Sequence, residues 1–339
     1  MQIFIILHSG VIIVHIWHKY IMIIHVLAVR RMLLSSIIGI FSFILILFFV
    51  IFSESCVPET RNAVMMFLNT VLPTMFPFYV LSSLIVSGGF LTRIAKPVKP
   101  LTERVMRLPG SCIAAIILGC LCGFPIGAKI TCDLKARGDI TEEEAERLSS
   151  FTNNVGPVFM ASIVGGTYLG SIRSGLLIWL SVTLASLGSG ILLCRVHRSS
   201  AAPGFGGTPP IQGKTDIPAA ILSSLNTVLY VGAVIIFFSS VTSLLKLIPC
   251  LSDFIYSASY SFLEITGGLR SLGESVQAAN SILKYMLFSA FSAWSGCSVH
   301  MQVCGILASG NIKVKYYFIG KLLQSLLAPL IAAALFFFL

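Results

Sequence analysis

The sequence predicts an all-α polytopic membrane protein of two inverted repeats, each with a re-entrant hairpin and a broken helix. Three observations point there. Of 339 residues 56% are hydrophobic and only 11% charged, with a mean hydropathy of +0.94, outside the range of ordinary soluble domains. The string LNTVL occurs at Leu68–Leu72 and again at Leu225–Leu229, and Ser82-Ser83 recurs at the same offset as Ser239-Ser240. Finally, clusters of Gly, Pro and Asn interrupt apolar runs at Gly123–Lys129 and Asn153–Pro157, as unwound backbone at membrane depth requires.

Charge-free runs lie at 32–53, 62–92, 108–128, 148–172, 174–194, 217–245, 285–312 and 322–339, most of them meeting the roughly 20 residues that cross hydrocarbon. The formal charge of +10 and the pI of about 9.3 are ordinary for loops that obey the positive-inside rule, and nucleic-acid binding is not needed to explain them. Nine cysteines carry no CxxC pair and sit mostly in or beside apolar segments, where cysteine acts as a small packing residue. No metal or cofactor is expected.

Residues 1–31 are apolar yet hold His8, His15, His18 and His25 and end in Arg30-Arg31. They read as an N-terminal extension, with the working protein beginning near Met32 and the first span filling 32–61. A first repeat, 62–195, and a second, 218–339, flank a linker at 196–217 that is rich in Ser, Pro and Gly. Arg195, Arg198 and Lys214 place the linker in the cytoplasm. Arg93, Lys96, Lys99, Arg104 and Arg107 do the same for the loop at 91–108. On this reading the first LNTVL enters from outside and the second from inside, which is inverted topology; it also leaves Lys313, Lys315 and Lys321 outside, against the charge rule.

In the first repeat Pro109 can open a helix that runs to Cys122, about 21 Å, too short to cross. It stops at GFPIGAK, and the following leg carries Asp133, Lys135 and Arg137, so a re-entrant hairpin is expected, with Gly123, Pro125 and Gly127 at its tip. Lys129 beside the tip is a candidate anion contact, or pairs with Asp133 one turn on. Thr141 and Glu144 form a capping box. The helix that starts there meets Asn153-Asn154-Val155-Gly156-Pro157, which predicts two half-helices with Asn153 and Asn154 between them. In the second repeat SGCSVHMQ, Ser295 to Gln302, aligns Gly296 with Gly123 and offers Ser298, His300 and Gln302. Glu264 is an acid amid apolar sequence and a functional candidate, or part of an external loop near Asp253.

GFPIGAK, EAERL leading into NNVGP, and SVHMQ resemble the sporulation integral membrane protein YlbJ group, within the wider nucleoside-recognition or Gate domain superfamily, over roughly residues 35–339. The resemblance implies a polytopic protein of endospore-forming bacteria, made late in sporulation by the mother cell, that helps move dipicolinic acid towards the spore. By similarity to concentrative nucleoside carriers it also implies that the hairpin tips and broken helices form the substrate site. Carried over by motif, that nominates Gly123, Pro125, Gly127, Lys129, Asn153, Asn154, Gly156, Pro157, Glu264, Ser298, His300 and Gln302.

The expectation is therefore a carrier of a small organic anion, coupled to a proton or sodium ion and working by alternating access, with oligomeric state left open. A nucleoside carrier and a scaffold for spore maturation are the alternatives. An enzyme is not expected, since HExxH and GxSxG are absent and Glu264 has no second intramembrane carboxylate beside it.

Overall fold

The computed structural model describes residues 35–88, 102–196, 216–248 and 251–337. The histidine-rich extension at 1–31, most of the basic loop at 91–108 and nearly all of the linker at 196–217 lie outside the described residues. The chain divides into two units, Met1–Cys56 and Val57–Leu339. In the first, α1 (Ser35–Ile51) is an apolar helix whose Ile, Phe and Val side chains are exposed.

The second unit is built from helices alone among the described residues. Helix α2 (Ser53–Ser87) already starts at Ser53, within the stretch 32–61 expected to be one first span. Pro58, Pro73 and Pro77 lie within it, and Phe67–Val71 widens into a π-turn just before Pro73. The expected hairpin follows: α3 (Ile113–Leu121) and α4 (Ile126–Ala136) pack on each other. Gly123 turns the tip at φ +84°, a left-handed conformation that glycine adopts without strain.

Helix α5 (Glu142–Ser149) begins with the capping box: Glu144 N–H donates to Thr141 Oγ1 (3.3 Å) and Thr141 N–H donates to Glu144 Oε2 (2.8 Å). The chain unwinds over 150–156, and Pro157 starts α6, Pro157–Phe159 continued by a π-helical run Met160–Tyr168. Helix α7 (Ile172–Val196) completes the first half.

The second half repeats this order. After α8 (Ile217–Leu247) come α9 (Asp253–Leu263) and α10 (Ile265–Ser275), packed together as a hairpin, then α11 (Ser281–Trp294), α12 (Gly296–Ser309) and α13 (Lys315–Phe336). Side-chain caps set the starts: Asp216 on Ala219 N–H, Ser252 on Ile255 N–H and Asn280 on Leu283 N–H. This corrects the alignment of Gly296 with Gly123. The second hairpin is 253–275, with Glu264 at its tip, so Glu264 matches Gly123 in position and is not in an external loop. Residues 281–309 form a broken helix, and Ser295-Gly296, both at φ +78°, stand where Asn153–Gly156 stand in the first half.

Among the described residues four helices are long and apolar enough to cross a membrane: α2, α7, α8 and α13. Their exposed side chains form stripes at four-residue spacing, Ile172, Leu176, Leu180 and Leu184 on α7 and Phe318, Leu322, Leu326 and Leu330 on α13. Such stripes suit lipid. Helix α3 is buried along most of its length among them, where unwound backbone can be satisfied by protein.

Contacts also fix which ends share a face. Arg137 Nη1 donates to Val86 O at the end of α2 (3.2 Å), and Lys135 Nζ donates to Gly310 O (3.1 Å) and Asn311 O (2.6 Å). Lys313 pairs with Glu142 (3.3 Å) and Glu146 (3.5 Å). At the other end of α2, Glu59 pairs with Lys246 beside Tyr256 of the second hairpin. The two hairpins therefore return their chain ends to opposite ends of α2.

Candidate functional site

Each hairpin tip meets a broken helix. In the first half the carbonyl of Thr152 lies in a groove floored by Gly119 and Gly127, where a Cβ would stand 2.0 and 1.9 Å from its oxygen. At the tip, a Cβ on Gly123 would lie 3.2 Å from Gly156 N. In the second half a Cβ on Gly296 would lie 3.0 Å from Ile265 N, so the break and the second tip touch in the same way. The carbonyls near each tip are satisfied by ring donors. Trp179 Nε1 donates to Cys120 O (3.2 Å), Tyr79 OH to Phe124 O (3.2 Å) and Trp294 Nε1 to Phe262 O (3.2 Å).

Between the two junctions lies a cavity of about 520 Å³, within the range of small-molecule sites, about 300–1,000 Å³. Its walls are mostly apolar. Met66, Phe78, Phe124, Phe159 and Val231 contribute, as do Cys122 and Phe124 of the first tip, Val155 and Gly156 of the first break, Glu264–Thr266 of the second tip, and Ser298 and Gln302 of α12. Polar groups from elsewhere are Thr70, Thr74, Ser162, Thr167, Tyr168, Arg270 and Glu274.

Of the twelve nominated residues, Gly156, Glu264, Ser298 and Gln302 line this cavity. Glu264 is fully buried, and its two carboxylate oxygens accept from Thr266 N–H (2.9 Å) and Gly267 N–H (2.7 Å); it caps the second leg of its hairpin, where the helix N-terminus offsets its charge. Ser298 Oγ and Gln302 Oε1 are buried with no hydrogen-bond partner among the described residues. Buried polar atoms are normally paired, so these two are free to meet a ligand.

The other eight do not line it. Gly123, Pro125 and Gly127 shape the first tip from behind, and Pro157 restarts α6. Asn153 and Asn154 are fully buried and bind the fold together. Asn153 Oδ1 accepts from Ala128 N–H (2.8 Å) and its Nδ2 donates to Ser149 O (3.2 Å); Asn154 Nδ2 donates to Phe151 O and Ser186 Oγ (both 2.9 Å). Lys129 Nζ is buried without a hydrogen-bond partner, away from the cavity. His300 shares a 2.8 Å hydrogen bond between Nδ1 and Tyr317 OH and packs against Trp294, Tyr317 and Phe318.

Sequence reasoning missed two things. Arg270 and Glu274 line the cavity, 3.4 Å apart as an i,i+4 pair, so the lining holds a carboxylate besides Glu264, about 15 Å from it at the far end of α10. Lys321, expected outside the membrane, is fully buried in α13. Its Nζ donates to the carbonyl of Asn153, to Ser295 Oγ (3.0 Å) and to Ala293 O (3.3 Å). No sequence signal marks such a residue beyond its place in an apolar helix, because two of its three acceptors are backbone oxygens.

Comparison with known proteins places this geometry. The Gate family profile, described as nucleoside recognition, matches residues 68–174, which span α2 from the π-turn through the first hairpin and the first broken helix. The sporulation integral membrane protein YlbJ of Bacillus subtilis (strain 168) is 27% identical over 313 residues, covering 79% of this chain and 74% of the relative. No solved structure matches the chain. The resemblance read from GFPIGAK, NNVGP and SVHMQ thus holds along most of the sequence: the chain is a membrane protein, helical among its described residues, with a segment that matches the Gate profile, and similar to YlbJ.

Proposed function

We propose that this protein is a sporulation carrier that moves a small organic anion, dipicolinic acid, from the mother cell across the outer forespore membrane, rather than an enzyme or scaffold. The observation that carries the reading is a cavity bounded by both hairpin tips, the first break and the start of α12. Two halves in one element order, with hairpins returning to opposite ends of α2, suit alternating access between inverted repeats around a shared site. With α11 and α12 as one broken helix, Lys313 and Lys315 fall on the face of Lys135 and Arg137, and the charge rule then holds for a cytoplasmic face there.

The apolar walls suit the faces of an aromatic ring, while the Ser298 hydroxyl, the amide nitrogen of Gln302 and the Arg270 guanidinium can donate to its carboxylates. Glu264 and Glu274 outweigh Arg270 in that lining. A dianion would therefore enter together with protons or sodium ions, which is the coupling a concentrative carrier needs. The same excess of carboxylate favours a second reading, in which a neutral nucleoside presents its hydroxyls to Glu264 and Gln302. Thermal-shift and equilibrium binding on purified protein separate them: saturable dipicolinate binding, weakened about tenfold in Ser298→Ala with Gln302→Ala and absent for uridine and adenosine, supports the anion carrier. Saturation by nucleoside alone supports the second. A deletion strain whose spores hold normal dipicolinate would reject the first.

A further inference from the structure

The ammonium of Lys321 stands where two half-helices end. Ala293 lies in the last turn of α11, where helix carbonyls lack intrahelical partners; Ser295 is the left-handed residue that closes that helix, and Asn153 belongs to the unwound chain after α5. An ammonium has three hydrogens to donate, and three uncharged oxygens from the two breaks receive them. Helix C-termini carry partial negative charge and attract cations, and unwound carbonyls at such ends are where broken-helix carriers hold alkali-metal ions. Lysine is almost never fully buried without a partner. Here the partners are a ring of oxygens that would equally suit a bare monovalent ion.

We propose that the Lys321 ammonium occupies a monovalent-cation site that joins the two broken helices, so that the protein carries its own cation there and needs no sodium ion to hold the breaks together. The inference is independent of the identity of the substrate. The neighbouring residue supports the placement. A Cβ on Gly320 would lie 2.1 Å from Ser150 O, so α13 is pressed against the first break, and Gln324 one turn on donates to that same carbonyl (2.8 Å). Lys321 is thus aimed at the break by contacts on both sides of it.

The test is the thermal midpoint of the full-length protein in detergent, in sodium chloride and in choline chloride of equal strength. Wild type should give the same midpoint in both salts. Lys321→Ala vacates the oxygens and leaves room for an ion, so its midpoint should be lower in choline and recover by several degrees in sodium chloride, saturating as a one-site ligand does. Lys321→Gln keeps a hydrogen-bond donor without charge and should be destabilised in both salts. An equal response of Lys321→Ala to the two salts, or its failure to fold in either, would overturn the proposal. So would a wild type stabilised by sodium, or a Lys321→Gln variant as stable as wild type, which would reduce Lys321 to a hydrogen-bond donor.

Discussion

Asn153→Ala separates a structural asparagine from a ligand-binding one. Ala128 lies in the first turn of α4, whose amides have no intrahelical acceptor, and the residue before that helix, Pro125, has no side-chain oxygen to cap it. Asn153 supplies the missing cap from another segment through the 2.8 Å bond to Ala128 N–H. Truncation leaves that buried amide unsatisfied, which costs about 1–3 kcal/mol, and removes the bond from Nδ2 to Ser149 O, worth about 1 kcal/mol more. The loss should therefore be about 2–4 kcal/mol. For a chain longer than 250 residues each kcal/mol moves the midpoint by about 2 °C or less, so a drop of several degrees, at most about 8 °C, is expected by differential scanning fluorimetry in detergent. Ligand affinity of the fraction that remains folded should stay near wild type. A midpoint unchanged within about 1 °C together with a tenfold loss of affinity would refute the structural assignment and return Asn153 to the binding site. Asn154→Ala should be milder, since Ser186 Oγ still donates to Phe151 O after the amide is gone.

Gly127→Ala forces a methyl to within 1.9 Å of Thr152 O; the variant should lose folded yield, measured by size exclusion, whereas Gly138→Ala, where nothing lies within 4 Å, should lose less, the strain of its positive φ being its main cost. Hydrogen bonding to Lys313, then the charge of Lys135, lowers the Glu142 carboxyl below its usual 4.5, and the Lys313 ammonium is raised by the same Glu142. The Glu142 contribution is present above pH 4.5 and lost as pH falls through its folded value, while that of Lys313 is lost only as pH rises above 10.5. The stability gap between wild type and Glu142→Gln should thus stay flat from pH 6 to about 9 and shrink in acid; a gap that widens in acid would reject the pairing. A cysteine introduced at Lys313 should react with an impermeant maleimide only from the cytoplasmic side, and labelling from outside in intact cells would overturn the assigned orientation.

Local signals in the sequence reported local structure well. Thr141 with Glu144, the Gly-Pro tip at Gly123–Pro125 and the restart at Pro157 each act within a turn or two, and each stands where its chemistry requires. The second half was harder to read because its breaks lack proline: Glu264 closes one by capping, and Ser295-Gly296 makes the other by adopting left-handed backbone. That is why Ser295–Gln302 aligned with the first hairpin tip. The candidate site was legible as a set of segments and not as a set of side chains. Asn153 and Asn154 looked like ligand contacts because amides between half-helices are suited to that role, yet the backbone they sit in must itself be satisfied, and here it takes both ends of the Asn153 amide and the nitrogen of Asn154, leaving the Asn154 Oδ1 without a partner among the described residues. Lys321 acts across a long sequence separation, through partners that no spacing rule connects.

The π-turn in α2 has a consequence for comparing the two halves. The same five residues, LNTVL, are wound wide at Leu68–Leu72, with Leu72 N–H reaching back to Phe67 O, and are ordinary α-helix at Leu225–Leu229. What differs is the next residue, Pro73 against Tyr230. A proline has no N–H to give the carbonyl four residues back, and its ring crowds that oxygen; an extra residue in the turn relieves the crowding. Superposing one half on the other would therefore slip by one residue at this point. Thr70 and Thr74, which face the cavity, would then be turned by about 100° from their true direction, so identity of letters here is a guide to correspondence and a poor guide to where the side chains point.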